Sequence, residues 1–275
     1  MQPMANMALR AARAAGRIIV RAVDRVDMIT VEEKQRNDLV SEIDRAAEAA
    51  IVDILHKAYP GHSILGEESG RAVQGDEDWT WIVDPLDGTT NFLHGIPHFA
   101  VSIGCVHRGR LEHAVVLDPL RDESFVASRG HGAQLGGRRI RVTRRDRLDG
   151  AVVGTGIPLR GDGDHLDAYM KQLHAVTRQV RGIRRGGSAA LDLAYVAAGR
   201  LDAYWEIGLQ PWDMAAGALL VTEAGGLVSD FEGGAAFLET GNLVCGNPKC
   251  FKALLKTIAP HVTRDMKRRP RDEAS

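Results

Sequence analysis

A chain of 275 residues, 44% apolar and 26% charged, is long enough to bury a sizeable core without disulfide staples. Thirty-five Lys and Arg against 36 Asp and Glu leave a net charge of −1, which excludes a globally basic nucleic-acid coat and an acidic disordered tail protein. Three scattered cysteines (Cys105, Cys245, Cys250) and no apolar run of the ~18–20 residues that cross a bilayer argue against a secreted disulfide framework and a membrane span, and fit a reducing cytoplasm.

Residues 4–26 are rich in arginine and nearly free of acid, superficially like a transit peptide. Arg10, Arg13, Arg17, Arg21 and Arg25 nevertheless fall within about 120° of helical arc, with Met7, Ala11, Ala15, Ile18, Ile19, Ala22 and Val26 opposite them. That pattern predicts an amphipathic helix packed on the body. A second helix is expected from Ser41, its N-cap, to Tyr59, stopped by Pro60-Gly61. Short β-rich runs follow at 63–66, 79–84, 99–106, 113–117 and 123–128, separated by turn residues as in an antiparallel or mixed sheet. Beyond Gly150 the pattern alternates. Strands are expected at 151–155, 202–206, 227–231 and 242–245, and helices at 165–180, 188–198, 211–224 and 249–258. The division is therefore an N-terminal α+β part (1–150), a C-terminal α/β part (151–263) and a charged, flexible tail (264–275).

The carboxylates concentrate at strand ends. Glu67-Glu68 closes one run, Asp84-Pro85-Leu86-Asp87 closes another, and Asp213 opens a helix far along the chain. Pro85 forbids a helix, so a turn is expected to bring Asp84 and Asp87 to a common point. Such oxygen donors suit Mg²⁺, which often shares substrate phosphates. Gly88-Thr89-Thr90-Asn91 then offers flexible backbone, hydroxyls and a helix start, a chemistry that binds phosphate. Metal carboxylates running into a phosphate cradle suggest metal-assisted phosphoester hydrolysis. On spacing alone, Asp84 and Asp87 read equally as a turn and an N-cap, and Glu67-Glu68 as a solvated loop.

Longer motifs go further. Gly66-Glu67-Glu68-Ser69, Trp81-Ile82-Val83-Asp84-Pro85-Leu86-Asp87-Gly88-Thr89-Thr90-Asn91-Phe92, and Trp212-Asp213-Met214-Ala215-Ala216-Gly217 followed by Glu223-Ala224-Gly225-Gly226 resemble the two signatures of the inositol monophosphatase family, in order and register from about Met4 to Pro260. The resemblance implies a layered αβαβα sandwich, with a larger antiparallel sheet from the first half and a smaller mixed one from the second. It implies a homodimer and lithium sensitivity as well. It also implies that Glu67, Asp84 and the Leu86 carbonyl hold a first Mg²⁺, with Asp84 bridging to a second ion bound by Asp87 and Asp213. Glu68 would reach the site through water, Gly88 and Thr89 would contact phosphate, and Asp44 with Thr89 would orient and deprotonate the attacking water. Lys34 aligns only across a one-residue gap and is not carried over.

By the same resemblance Glu206 would bind a ring hydroxyl, with Gly187 and Ala189 lining its pocket, which suits inositol 1-phosphate or a related polyol phosphate. Read alone, Glu206 is also compatible with a strand-end surface charge. The stretch Arg184-Arg185-Gly186-Gly187-Ser188-Ala189-Ala190-Leu191-Asp192-Leu193 resembles a bacterial branch whose members join transcription antitermination complexes through RNA polymerase and Nus factors. Arg184 and Arg185, with the six arginines of 138–147, could form such a docking surface, or could be solvated arginines or dimer contacts. His94 and His98 lack the helix a zinc pair needs, and Gly154-Thr155-Gly156 lacks the later glycine of a dinucleotide fingerprint.

Overall fold

The computed structural model describes residues 1–35, 38–159 and 165–267. Helix α1 (Pro3–Ala22) leads through a 3-10 stretch (Val23–Met28) into a hairpin of β1 (Val31–Gln35) and β2 (Asp38–Ser41), then α2 (Glu42–Ala58). Strands β3 (His62–Gly66), β4 (Gly70–Val73) and β5 (Asp76–Asp87) precede the one-turn α3 (Thr89–Leu93). There follow β6 (Ala100–His107), β7 (Arg110–Asp118), β8 (Glu123–Ser128), β9 (Gly132–Leu135) and β10 (Arg138–Arg139). The second half contains β11 (Val152–Thr155), α4 (Leu166–Thr177), β12 (Gly182–Arg184), α5 (Ala189–Ala197), β13 (Ala203–Glu206) and α6 (Pro211–Glu223). It closes with β14 (Leu227–Ser229), α7 (Phe237–Thr240), β15 (Leu243–Gly246) and α8 (Pro248–Ile258).

Five layers result. An eight-stranded sheet, in the order β10-β9-β8-β7-β6-β5-β3-β4, is antiparallel except where β3 pairs parallel to β5. A five-stranded mixed sheet has the order β12-β11-β13-β15-β14. Helices α1 and α2 cover the outer face of the large sheet, α4 and α8 the outer face of the small one, and α5 with α6 fill the space between. The αβαβα sandwich expected from the motifs is what the chain forms.

Each layer follows from its residues. Helix α1 buries Ala5, Ala8, Ala11, Ala12, Ala15 and Ile19 while Arg10, Arg13 and Arg17 stay exposed. Its small alanines let it lie close against α2 and β7. Helix α6 is buried without a break from Asp213 to Val221, as a helix flanked by two sheets must be. One continuous core joins Phe125 and Ile82 of the large sheet through Leu191 and Leu219 to Tyr204 and Cys245 of the small one. The cysteines are free and buried, and burial pushes the Cys105 and Cys245 thiols up. No helix among the described residues is long and apolar enough to cross a membrane.

The chain stays ordered further than expected at its C-terminal end. Residues 265–267 form a 3-10 turn, Met266 is buried, and Asn242 Nδ2 donates to the Met266 carbonyl at 2.6 Å. The rest of the expected tail, 268–275, lies outside the described residues, as does the side chain of Lys34.

Candidate metal and phosphate site

The site begins with an irregularity in β5. Asp84 pairs with Ser102 and Asp87 with Ala100, so three steps on β5 match two on β6. In a regular strand residues three apart face opposite sides. The extra residue of this β-bulge, at Pro85-Leu86, turns Asp87 onto the face of Asp84 while Leu86 is buried on the other side. The expected turn is thus a bulge within a strand: Pro85 lacks only a ladder donor, which a bulge does not require.

Asp213 reaches the same point from the first turn of α6. Its Oδ2 accepts the Gln210 amide at 2.8 Å, which closes a capping box and holds the carboxyl at the helix start. One oxygen from each of Asp84, Asp87 and Asp213 lies within 4.8 Å of the others. Glu67 joins them because β3 runs parallel to β5: Gly66 pairs with Val83, and the Glu67 amide donates to the Val83 carbonyl at 3.1 Å. The Glu67 and Asp84 carboxyls are hydrogen-bonded to each other.

Burial, then the charges of Glu67, Asp87 and Asp213, hold Asp84 well above the usual carboxylate range. The donor set is all oxygen, crowded and mutually repelling. It fits a hard divalent cation, whose charge would let every carboxylate ionise.

Next to the cluster, Thr89 Oγ1 lies 2.9 Å from Asp44 Oδ1 and 3.1 Å from the Leu86 carbonyl oxygen. Asp44 is buried in the first turn of α2, where its Oδ2 accepts the Ser41 amide at 2.9 Å and the Ser41 hydroxyl. Burial raises the Asp44 carboxyl, and the bonds from Ser41 and Thr89 oppose that rise. Gly88, between Asp87 and Thr89, has φ = 100°, and a β-carbon there would lie 3.2 Å from the Gly187 carbonyl oxygen. The helix expected to start after it is only the five residues of α3.

The second half supplies the opposite wall. Asp87 Oδ2 accepts the Ser188 hydroxyl at 2.6 Å and the Ala190 amide at 2.7 Å, so the N-terminus of α5 is seated on a carboxylate of the cluster. This brings Gly187 and Ala189 to the site. Asn91 Nδ2 donates to the carbonyls of His98 and Gly186, at 2.7 and 2.9 Å, and pins that loop. Glu206, at the end of β13, accepts from the Tyr204 hydroxyl. Its carboxyl lies flat on Gly156, where a β-carbon would be 1.7 Å from Oε1. Burial first, then Asp213, Asp192 and Asp87, push Glu206 well above its ordinary value, which marks it as part of the same electrostatic site.

The structure therefore brings Asp84, Asp87 and Asp213 within 4.8 Å of one another, with Glu67 tied to the adjoining strand, Thr89 bonded to Asp44 and to the Leu86 carbonyl, Gly187 against Gly88, Ala189 at the start of the helix seated on Asp87, and Glu206 within electrostatic reach of Asp87 and Asp213. Glu68 donates its backbone amide to Glu48 at 2.9 Å. Arg184 and Arg185 diverge. Arg184 is exposed on the edge strand β12 and folds back on the Ile183 carbonyl. The Arg185 charge is felt by Asp192 and Glu206, and its guanidinium lies 2.8 Å from where a Gly187 β-carbon would sit. In the 138–147 segment all six arginines are exposed, with Arg145 tied to buried Asp202 at 3.2 Å. The sequence reading missed the roles of Ser188 toward Asp87 and of Tyr204 toward Glu206. Two-residue spacing on a strand was the available signal for Tyr204.

The model of the inositol monophosphatase family matches residues 1–264. A protein of Pseudomonas aeruginosa named Nus factor SuhB is 61% identical over 271 residues, covering 98% of this chain and 100% of that one. The crystal structure of the extragenic suppressor protein suhB from Bartonella henselae superposes with a TM-score of 0.90 at 46% identity, over 94% of this chain and 98% of that one. The inositol monophosphatase from Anabaena gives a TM-score of 0.79 at 34% identity, over 93% and 94%.

Proposed function

The chain belongs to the inositol monophosphatase family, and from that premise we propose that it is a Mg²⁺-dependent phosphomonoesterase acting on inositol 1-phosphate and related polyol phosphates. The observation that carries this reading is the meeting of Asp84, Asp87 and Asp213 within 4.8 Å, beside a Thr89 hydroxyl bonded to Asp44. Glu67, Asp84 and the Leu86 carbonyl would hold one Mg²⁺, and Asp84, Asp87 and Asp213 a second. When bound, the two ions would neutralise the phosphate dianion and stabilise the entering and leaving oxygens of an in-line displacement.

The chain's own residues do the rest. Thr89 and Asp44 would orient the attacking water and take its proton, because Asp44 is held by Ser41 and cannot rotate away. As the water oxygen bonds to phosphorus, the ester P–O bond breaks and the polyol oxygen leaves on the opposite side, taking a proton from solvent to become the free hydroxyl. The amides of Gly88 and Thr89 would face the phosphate. Glu206, steadied by Tyr204, would accept hydrogen bonds from vicinal ring hydroxyls, with Gly187 and Ala189 shaping the wall.

The test is phosphate release from inositol 1-phosphate, with and without Mg²⁺, beside fructose 1,6-bisphosphate, histidinol phosphate and adenosine 3′,5′-bisphosphate. Mg²⁺-dependent turnover favouring inositol 1-phosphate supports the reading. Preference for another ester keeps the mechanism and replaces the substrate, and no turnover from folded protein overturns it.

A second reading is favoured by the name of the Pseudomonas aeruginosa relative, Nus factor SuhB, and by exposed Arg184 on a sheet edge. In it the chain, as a homodimer, joins an antitermination complex through RNA polymerase and Nus factors. Arg184→Ala would then weaken capture of RNA polymerase with hydrolysis intact; unchanged capture would count against that surface.

A further inference from the structure

We propose that Glu48 is a positioning residue for the metal-facing turn 66–69, so that helix α2 sets the placement of Glu67 as well as that of Thr89. The inference rests on the phosphatase reading and extends it to a residue outside the carboxylate cluster.

Glu48 is 4% exposed and lies one helical turn beyond Asp44, on the same face of α2. Both carboxyl oxygens are spent on the turn. Oε2 accepts the Glu68 amide at 2.9 Å and Oε1 the Ser69 amide at 3.0 Å. The carboxyl also lies flush on Gly66, where a β-carbon would be 2.3 Å from Oε2. Among the described residues Glu48 forms no ion pair, so these two amides are what offset its burial.

Glu67 sits inside this arrangement. Its amide is tied to Val83 of β5, and the two residues after it are tied to Glu48. With both flanks fixed, the Glu67 side chain has one launching point toward Asp84. Helix α2 thus carries two contacts with the site about 6 Å apart along its axis: Asp44 toward Thr89, and Glu48 toward the turn that presents Glu67. Helices make better rulers than loops, because their residues cannot shift independently.

Glu48→Gln tests this with shape preserved. The amide oxygen keeps one acceptor, but its NH₂ faces a backbone N–H, so one flank of the turn comes loose. Binding of Mn²⁺, followed by electron paramagnetic resonance on the full chain, reads the metal site without any turnover. The expected result is roughly tenfold weaker Mn²⁺ binding, in the range that outer contacts to metal ligands produce, with the protein still folded at the assay temperature and melting only a few degrees below the wild type. Glu67→Ala weakens binding too, and adding Glu48→Gln to it costs nothing more, because the effect of Glu48 passes through Glu67. Gly66→Ala, which pushes the carboxyl off the turn from the other side, gives the same loss as Glu48→Gln. Wild-type affinity in both Glu48→Gln and Gly66→Ala, or additive losses in the double variant, would overturn the inference alone. A wild-type protein that binds no Mn²⁺ would overturn the phosphatase reading with it.

Discussion

The Thr89 hydroxyl stands between the Asp44 carboxyl, at 2.9 Å, and the Leu86 carbonyl oxygen, at 3.1 Å, so a single proton links helix α2 to the bulged end of β5. Thr89→Val keeps the shape and removes that proton. Asp44→Asn keeps the hydrogen bond and removes the base. Both should lower kcat by roughly 10²–10⁴ with KM little changed, since the loss falls on proton transfer. Steady-state kinetics at saturating Mg²⁺ checks this. An unchanged kcat in either variant would take that residue out of the mechanism.

Asp84 is the most crowded carboxylate of the cluster. Asp84→Asn should abolish Mg²⁺-dependent phosphatase activity to below about a hundredth of wild type. The metal-free protein should melt no lower than wild type, because burial and three like charges already disfavour an ionised Asp84. Activity assays paired with calorimetry in chelator separate the two effects. Activity within a few-fold of wild type would sink the site assignment.

Gly156 has no room for a side chain under the Glu206 carboxyl. Gly156→Ala should displace Glu206, raising KM for inositol 1-phosphate by about tenfold while kcat changes less, since a lost hydroxyl contact weakens ground-state and transition-state binding alike. Inorganic phosphate should inhibit the variant as it inhibits the wild type. A selective loss of phosphate inhibition would move Gly156 into the phosphate pocket instead.

Asp192 supplies a pH test of the fold. Burial, then the charge of Asp87, pushes its carboxyl up to about 8, against an ordinary value of 3.8, while Arg185 and the Gly186 amide pull it down. The native chain therefore keeps a proton that the unfolded chain releases above pH 3.8. The stability it supports is complete below that value and is lost as pH rises through about 8. Asp192→Asn, permanently neutral, escapes the loss. In chelator, its stability advantage should widen between pH 5 and pH 8, reaching on the order of a few kcal/mol. Thermal unfolding at the two pH values measures it; a constant difference would mean that Asp192 ionises freely in the native protein.

Most of the single elements were legible because the chain announces them in two periods, whereas the layer plan came with the family resemblance. Alanine against arginine spacing exposed α1, and the Ser41 cap and Pro60-Gly61 stop bounded α2 to within a residue. The strands that escaped are largely at the margins of the sheets. β4, β10 and β12 are edge strands of four, two and three residues with polar or exposed side chains, so no alternation marks them. The ligands could be named from motifs, but their geometry could not. That Asp87 shares a face with Asp84 depends on one residue of misregister against β6, which no local pattern encodes. Ser188 read as a helix cap, and it is one, yet its proton goes to Asp87, 101 positions earlier.

The division of the cluster among layers also bears on how the chain matures. Glu67, Asp84 and Asp87 come from the large sheet and its β3–β4 turn, all made before Asp213, whereas Asp213 comes from a helix packed between that sheet and a small one whose strands β14 and β15 are made after it. A chain in which that helix has not docked already holds Glu67, Asp84 and Asp87 near one another through the β3–β5 pairing and the β5 bulge, but lacks the carboxylate of Asp213. A cation that needs all four carboxylates would then be held fully only by a chain in which α6 has docked.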